Sequence, residues 1–409
     1  MILDFSLLER NGKCMNNTPS SERLHIGIFG KRNAGKSSVI NALTGQNIAI
    51  VSDVKGTTTD PVFKSMELLP LGPVVIIDTP GLDDEGELGQ LRMKKAYQTL
   101  NKTDLALVVI DVTVGFDMAD AQIIEAIEKK KIPYIMIYNK SDLQERRNVG
   151  NGTDCVWVST ITGENIEELK RMITNAIPKE VNSKRIVGDL IQPLDFVVLV
   201  VPIDSSAPKG RLILPQQQTI RDILEVGAVP VVVKDTELSE MLDELQVKPS
   251  LVITDSQVFG KVAEIVPKDV PLTSFSILMA RYKGDLKAVV NGAIAIDDLQ
   301  DGDTILISEG CTHHRQCEDI GTVKLPKWIL KHTGKDVKFE FTSGTEFPDD
   351  LSTYKLVIHC GGCMLNEREM KYRLKCAQDQ QVPMTNYGTA IAHMKGILGR
   401  SLEIFGEAL

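Results

Sequence analysis

The sequence predicts an α/β protein of three consecutive α/β domains, the first a P-loop nucleotide-binding sheet and the others doubly wound, Rossmann-like sheets. Short unbroken apolar runs alternate with helical patterns along the whole chain. A glycine-rich phosphate-loop motif stands between the first strand and the first helix. A chain of 409 residues also exceeds what one hydrophobic core organises.

The elements follow in order. The Asn-, Ser- and Pro-rich stretch from Asn11 to Arg23 reads as a linker before a strand at Leu24–Phe29. Runs at Val74–Ile77, Leu105–Ile110 and Ile132–Tyr138 have the unbroken character of parallel strands buried on both faces. Helical patterns at Ala119–Lys130 and Asn165–Ile177 flank them, and the first domain ends near Pro178. The charged stretch Lys179–Arg185 leads into a second block, with strands at Phe196–Val201, Val229–Val233 and Leu251–Thr254. Its intervening helices fall at Gln216–Val226 and Leu238–Leu245. A third block begins near Pro271, with strands at Thr304–Ser308, Val337–Phe341, Lys355–His359 and Val382–Asn386. The expected boundaries are a tail at 1–22 and domains at 23–178, 179–268 and 269–409.

Composition narrows the function class. Hydrophobic residues make up 43% and charged residues 25%, ordinary globular values that exclude wholesale disorder. A net charge of -9 demotes nucleic acid as the main partner, because phosphate binding needs a basic footprint. The first residues lack a signal-peptide layout, and runs such as Phe196–Val201 fall far short of a membrane span, so a cytoplasmic location is expected. Five of the seven cysteines, and most of the histidines, fall after residue 310. In a reducing compartment such thiols serve metals or catalysis more often than disulfides.

Gly30-Lys31-Arg32-Asn33-Ala34-Gly35-Lys36-Ser37 has the P-loop spacing. Its backbone N–H groups and the following helix N-terminus suit phosphate, with Ala34, Gly35 and Ser38 completing the cradle. Lys36 should reach the β- and γ-phosphates, and the Ser37 hydroxyl should ligate magnesium. Asp78-Thr79-Pro80-Gly81 ends another strand; Asp78 suits a water-mediated magnesium contact, and the Gly81 N–H can sense the γ-phosphate. Gly56-Thr57-Thr58-Thr59-Asp60 is a switch segment able to supply a threonine, Thr58, to magnesium. Lys36, Thr58 and Gly81 are therefore the expected catalytic contacts. Asn139-Lys140-Ser141-Asp142 follows a strand, and the Asp142 carboxylate can accept from N1 and N2 of guanine, a donor pair adenine lacks. Ser159-Thr160 would add a backbone contact to the base. Chance turns on an unrelated fold explain one such motif and not four in order, so the nucleotide is GTP.

With Asn33 in the P-loop and the Gly56–Asp60 run, the domain resembles the TrmE–Era group of GTPases. The resemblance implies that Asn33 helps bind a potassium ion. Leu82 stands where Ras-like proteins carry a catalytic glutamine, so potassium would do part of an arginine finger's work. Asp84, Glu85 and Glu87 are candidates to position water; a solvated acidic switch loop explains them as well.

The second signal is Cys311-Thr312-His313 after one strand and His359-Cys360-Gly361-Gly362-Cys363 after another. Both fall at C-terminal strand ends, where loops of a doubly wound sheet converge. The glycines leave N–H groups free to bond thiolates or sulfides. Three thiolates with one weakly held position describe an iron–sulfur cluster; the same residues would also make a Cys3His zinc site, and Cys-Gly-Gly-Cys by itself a buried turn or redox pair. His314, Cys317, His332, Cys376 and His393 match no tight spacing and read as surface or core residues.

This pair of motifs behind such a GTPase domain resembles the FeFe-hydrogenase maturation GTPases, over the whole chain. The resemblance implies a middle dimerisation domain and a last domain holding a 4Fe–4S cluster on Cys311, Cys360 and Cys363. His313 or His359 is a possible fourth ligand. It further implies a scaffold that carries the diiron precursor of the hydrogenase active site, takes it from the radical-SAM maturases HydE and HydG, and delivers it to apo FeFe-hydrogenase. The competing readings are an RNA-associated GTPase with a structural zinc site, and a non-catalytic interaction module held together by zinc.

Overall fold

The computed structural model describes residues 18–45, 61–68, 71–81, 87–144, 155–177, 184–203, 212–310, 320–344 and 346–408. They belong to two compact units, Met1–Lys179 and Glu180–Leu409.

The first unit runs β1 (Leu24–Phe29), α1 (Lys36–Thr44), β2 (Val62–Leu68), β3 (Gly72–Asp78), α2 (Glu87–Leu100), β4 (Leu105–Asp111), α3 (Met118–Lys129), β5 (Tyr134–Asn139), β6 (Cys155–Val158) and α4 (Ile166–Ala176). Its strands form one sheet in the order β2-β3-β1-β4-β5-β6. All pairings are parallel except β2 with β3. Successive residues of the central strands serve opposite faces, as the pleat requires. Leu105, Leu107 and Val109 pack toward Val39, Ile40, Leu169 and Ile173 of α1 and α4. Ala106, Val108 and Ile110 pack toward Ala96, Leu100, Ile123 and Ile127 of α2 and α3. This two-sided burial explains why the strands read as continuous apolar runs. The antiparallel β2 was not expected: its Val-Phe-Lys-Ser-Met-Glu-Leu pattern alternates because an edge strand has one solvated face. Capping starts α3, where the Asp117 carboxylate accepts from the Ala119 and Asp120 backbone N–H groups.

The second unit continues with β7 (Phe196–Val200), α5 (Leu214–Val226), β8 (Val229–Val233), α6 (Leu238–Glu244), β9 (Leu251–Thr254), α7 (Phe259–Ile265), β10 (Leu272–Ser274), α8 (Phe275–Lys283) and α9 (Leu286–Ile294). Then come β11 (Thr304–Glu309), α10 (Leu325–Thr333), β12 (Lys338–Ser343), β13 (Leu356–His359), α11 (Glu367–Asp379), β14 (Met384–Asn386), α12 (Tyr387–Met394) and α13 (Leu398–Leu402). Two four-stranded sheets result, β10-β9-β7-β8 and β12-β11-β13-β14, every pairing parallel. The expected α/β class and its three sheets are present.

The third block does not start where the sequence reading put it. Leu272–Ser274 pairs with β9 and so completes the second sheet. The chain end also returns to that sheet, where Leu398 and Phe405 join the core of Val198, Ile253 and Phe275. The strand Leu272–Ser274 is too short to show a period, which is why its partner was not legible. In the third sheet α10 and α12 cover one face, through Leu325, Ile329, Ala390 and Ile391, and α11 covers the other through Leu374 and Ala377.

Candidate nucleotide site and cysteine centre

The P-loop follows β1 directly, and two glycines make its shape possible. Gly30 has φ 142° and Gly35 has φ 92°, and a Cβ at either would approach within 2.2 Å of the Val109 carbonyl or 2.1 Å of the Asn139 amide nitrogen. Asn33 also adopts a left-handed conformation, at φ 58°. The Lys36 ammonium donates to the Gly30 and Lys31 carbonyls at 2.8 and 2.7 Å, spanning the loop that α1 caps. The Ser37 hydroxyl donates to Asp78 Oδ2 at 3.3 Å, so the two expected magnesium contacts meet at the ends of neighbouring elements. Burial pushes the Asp78 carboxyl above its usual range, against the opposing pull of Lys36 and Ser37. Thr79 donates to the Ile28 carbonyl at 2.6 Å and ties that loop to β1.

The base-recognition motif reaches the same rim from β5. Asn139 is buried, its amide donates to the Ala34 carbonyl at 3.0 Å, and its Oδ1 has no hydrogen-bond partner among the described residues. A buried acceptor left so is the kind of group a ligand satisfies. Lys140, at φ 66°, pairs with Asp111 at the end of β4, and this ammonium with Thr113 outweighs burial to hold Asp111 low. Asp142 stands exposed on the turn that follows. Ser159 is buried at the end of β6, where its hydroxyl accepts from the Ile161 and Thr162 N–H groups at 3.3 and 3.1 Å. It thereby shapes the loop in which Thr160 sits. Gly30, Ala34, Gly35, Lys36, Ser37, Ser38, Asp78, Gly81, Asn139, Lys140, Asp142, Ser159 and Thr160 thus lie in loops or element ends at the C-terminal edge of the parallel strands of the first sheet, where such sheets bind ligands. Thr58, Asp84 and Glu85 lie outside the described residues, as does the Glu87 side chain.

Sequence reading did not single out the acidic partners of Lys31. Its ammonium meets Asp117 at 2.5 Å and Asp120 at 3.5 Å, fastening the P-loop to the cap of α3.

In the second unit, Cys360 and Cys363 follow β13. Cys360 Sγ receives the Gly310 N–H at 3.1 Å and the Gly362 N–H at 3.4 Å. Burial pushes this thiol up to about 11, against those two donors. Burial raises the Cys363 thiol as well, with Lys283 opposing. Gly362, at φ 63°, lies against Met370, whose Sδ would stand 2.5 Å from an added Cβ. The cysteine turn borders a cavity whose lining includes Lys283, Cys360, Gly361, Met370, Met384 and Thr385. Thr385 Oγ1 is buried there with no hydrogen-bond partner among the described residues. Cys311 and His313 lie outside the described residues, as do His314 and Cys317.

His359 is a correction. It is fully buried, its Nδ1 donates to the Cys360 carbonyl at 2.7 Å, and its Nε2 accepts from Arg373 at 3.0 Å. Both ring nitrogens are engaged, so neither lone pair is left for a metal. His359 instead braces the cysteine turn from beneath. Burial and the Arg373 charge hold it neutral, with its pKa lowered to about 3.

Two residues that place this turn had no signal in the sequence. Lys283, buried at the end of α8, donates to the carbonyls of Gly362, Cys363 and Leu365 at 3.3, 3.3 and 2.9 Å. Arg373 is 0% exposed and links Glu369, His359, Ser308 and the Gly344 carbonyl, with Phe347 against its guanidinium face. His332 and His393, which the sequence reads as surface or core residues, both contact Asp297.

Comparison with known proteins follows the same division. Residues 25–140 match the 50S ribosome-binding GTPase family. Similar proteins include the tRNA modification GTPase MnmE of Legionella pneumophila strain Paris, 36% identical over 159 residues, covering 38% of this chain and 35% of that protein. GTPase Der of Kosmotoga olearia is 32% identical over 148 residues, 34% of this chain and 33% of its own length. The chain therefore spans about a third of the curated relatives it matches. Among solved structures, an Aquifex aeolicus Era variant bound to GDP.AlF4- is 21% identical at a TM-score of 0.35, covering 51% of this chain and 92% of that one. No described helix is long and apolar enough to cross a membrane. Residues 186–284 match the hydrogen maturase F dimerization domain and residues 287–404 its tetramerization domain. With both of these domains behind a GTPase domain, together more than half of its length, the chain belongs to the hydrogen maturase F family.

Proposed function

We propose that this protein is a cytoplasmic, GTP-hydrolysing scaffold that holds a 4Fe–4S cluster on Cys311, Cys360 and Cys363. In this reading it carries the diiron precursor of the hydrogenase active site, receives it from HydE and HydG, and hands it to apo FeFe-hydrogenase. The observation that carries the cluster assignment is the pair of backbone N–H groups aimed at Cys360 Sγ beside a cavity. Such donors neutralise charge on a ligating thiolate, and metal ligation removes the thiol proton that burial otherwise retains. Bound there, the cluster supplies electron-transfer capacity and an iron with an open coordination position.

At the nucleotide rim, Lys36 lies where it can turn to the β- and γ-phosphates, and Asp142 accepts from the guanine edge. Ser37 and Asp78, 3.3 Å apart, suit a magnesium ion and its water shell. Hydrolysis breaks the bond between the γ-phosphorus and the bridging oxygen as water attacks in line, giving GDP and phosphate. Asn33 is the protein's contribution to a potassium site, so turnover is slow without that ion. The two oligomerisation domains support a homodimer or a larger assembly.

The test is anaerobic iron, sulfide and zinc analysis, with an electron paramagnetic resonance spectrum after reduction. About four irons and four sulfides per chain support the reading. Stoichiometric zinc without sulfide, persisting after reconstitution, would instead favour an RNA-associated GTPase with a structural metal. Iron content unchanged in Cys360→Ala and Cys363→Ala would remove the ligand assignment.

A further inference from the structure

On the face of the third sheet opposite α11, three side chains from three separate elements converge. His332 comes from the last turn of α10, His393 from the last turn of α12, and Asp297 from the 3-10 turn that follows α9. His332 Nε2 lies 2.8 Å from Asp297 Oδ1, and His393 Nε2 lies 3.0 Å from Asp297 Oδ2. One ligand atom from each residue lies within 4.8 Å of the other two. The rings meet edge to face with centroids 5.8 Å apart.

We propose that Asp297, His332 and His393 form a binding site for a divalent first-row transition-metal ion of the zinc type, separate from the cysteine centre. Two imidazoles and a carboxylate are a donor set suited to such ions. With bonds of ~2.0–2.2 Å and tetrahedral angles, the ligand atoms of a bound ion stand about 3.3 Å apart. The two nitrogen–oxygen pairs therefore need to open by only about 0.3–0.5 Å. Each ring would shift its proton to Nδ1, freeing Nε2 for the ion. The side chains of Asp297, His332 and His393 are 53%, 29% and 16% exposed, so the ion has a path in, and water can take the remaining position.

A purely internal hydrogen-bonded triad is the competing explanation. Three ligands from non-adjacent stretches of chain, already gathered around one point, are more than a chance surface ion pair requires. Among the described residues, neither Nδ1 has a hydrogen-bond partner. Rings without that outer support bind metal about 10–100-fold more weakly than oriented ones, so exchangeable occupancy is expected. The bound ion would clamp α10 to α12, whose first turn follows Thr385 and Asn386 at the edge of the cysteine cavity.

The experiment is an anaerobic Co2+ titration of the full-length apoprotein followed by visible and near-ultraviolet absorption. Cobalt on thiolates gives intense sulfur-to-metal charge-transfer bands, and cobalt on imidazole and carboxylate gives only d–d bands. One equivalent without charge transfer is expected, bound at least tenfold more weakly in His332→Gln and His393→Gln. Glutamine keeps an N–H donor for Asp297 and is a poor ligand, so these variants separate ligation from packing. Equal binding by the Gln variants, or charge transfer from all bound cobalt, means a hydrogen-bonded triad only and overturns the proposal. Failure of the iron–sulfur assignment at the cysteines leaves this outcome untouched.

Discussion

Gly35→Ala tests how the phosphate loop and the base motif depend on each other. An alanine Cβ there would stand 2.1 Å from Asn139 Nδ2, the atom that holds the Ala34 carbonyl at 3.0 Å. The backbone at φ 92° also disfavours any L side chain, by roughly 1–2 kcal/mol. Displacing the buried Asn139 amide forfeits its hydrogen bond, at about 1–3 kcal/mol. Together these predict about 2–5 kcal/mol of destabilisation, localised where nucleotide binds. Gly45→Ala is the internal control: it lies just beyond the opposite end of α1 at φ 63°, and an added Cβ meets nothing within 4 Å. Only the backbone term applies there. Titration with a fluorescent GDP analogue and a thermal melt are the assays, with at least a tenfold affinity loss expected for Gly35→Ala and little for Gly45→Ala. In the double variant Gly35→Ala/Asn139→Ala the clash is gone, so the two effects should add to less than their sum. Equal behaviour of the two glycine variants would falsify the steric argument.

Asp142→Ala should cost GTP about 10–100-fold in affinity and ITP less, because inosine keeps the N1 donor and lacks only the N2 donor; competition binding with both nucleotides checks it. Arg373→Met leaves Glu369 buried without its cation and His359 Nε2 without its donor, so the second unit should lose about 3–5 kcal/mol. Iron uptake should fall with it, and GTP binding should persist. Burial lowers the His25 pKa from 6.5 to about 4, opposed by the Arg23 carbonyl and aided by Lys102. The folded state thus binds fewer protons, and its stability, complete above pH 6.5, declines as pH falls toward 4, by up to about 3 kcal/mol. Denaturant unfolding across that window should show the slope, and His25→Gln should flatten it.

Much of the nucleotide rim was legible in the sequence. Each motif is contiguous and its geometry is local: Gly30 to Ser37 carry their own loop conformation, and Asn139 to Asp142 follow a strand whose burial on both faces makes it a continuous apolar run. Cys360-Gly361-Gly362-Cys363 was legible for the same reason. The edge strand Val62–Leu68 was missed because it alternates beside strands that do not, and Leu272–Ser274 because three residues carry no period.

The sequence by itself therefore determined the α/β class, the phosphate loop, the turn that carries Asp142 and the cysteine turn, all set by residues within a few positions of one another. Only the tertiary structure decided that β10 completes the second sheet and the chain end joins its core, that Lys283 reaches the carbonyls of the cysteine turn, and that Arg373 occupies His359. It alone gathered Asp297, His332 and His393. These contacts join residues far apart in the chain. Their geometry comes from burying helices against parallel sheets, and no local spacing records which buried cation will find which carbonyl.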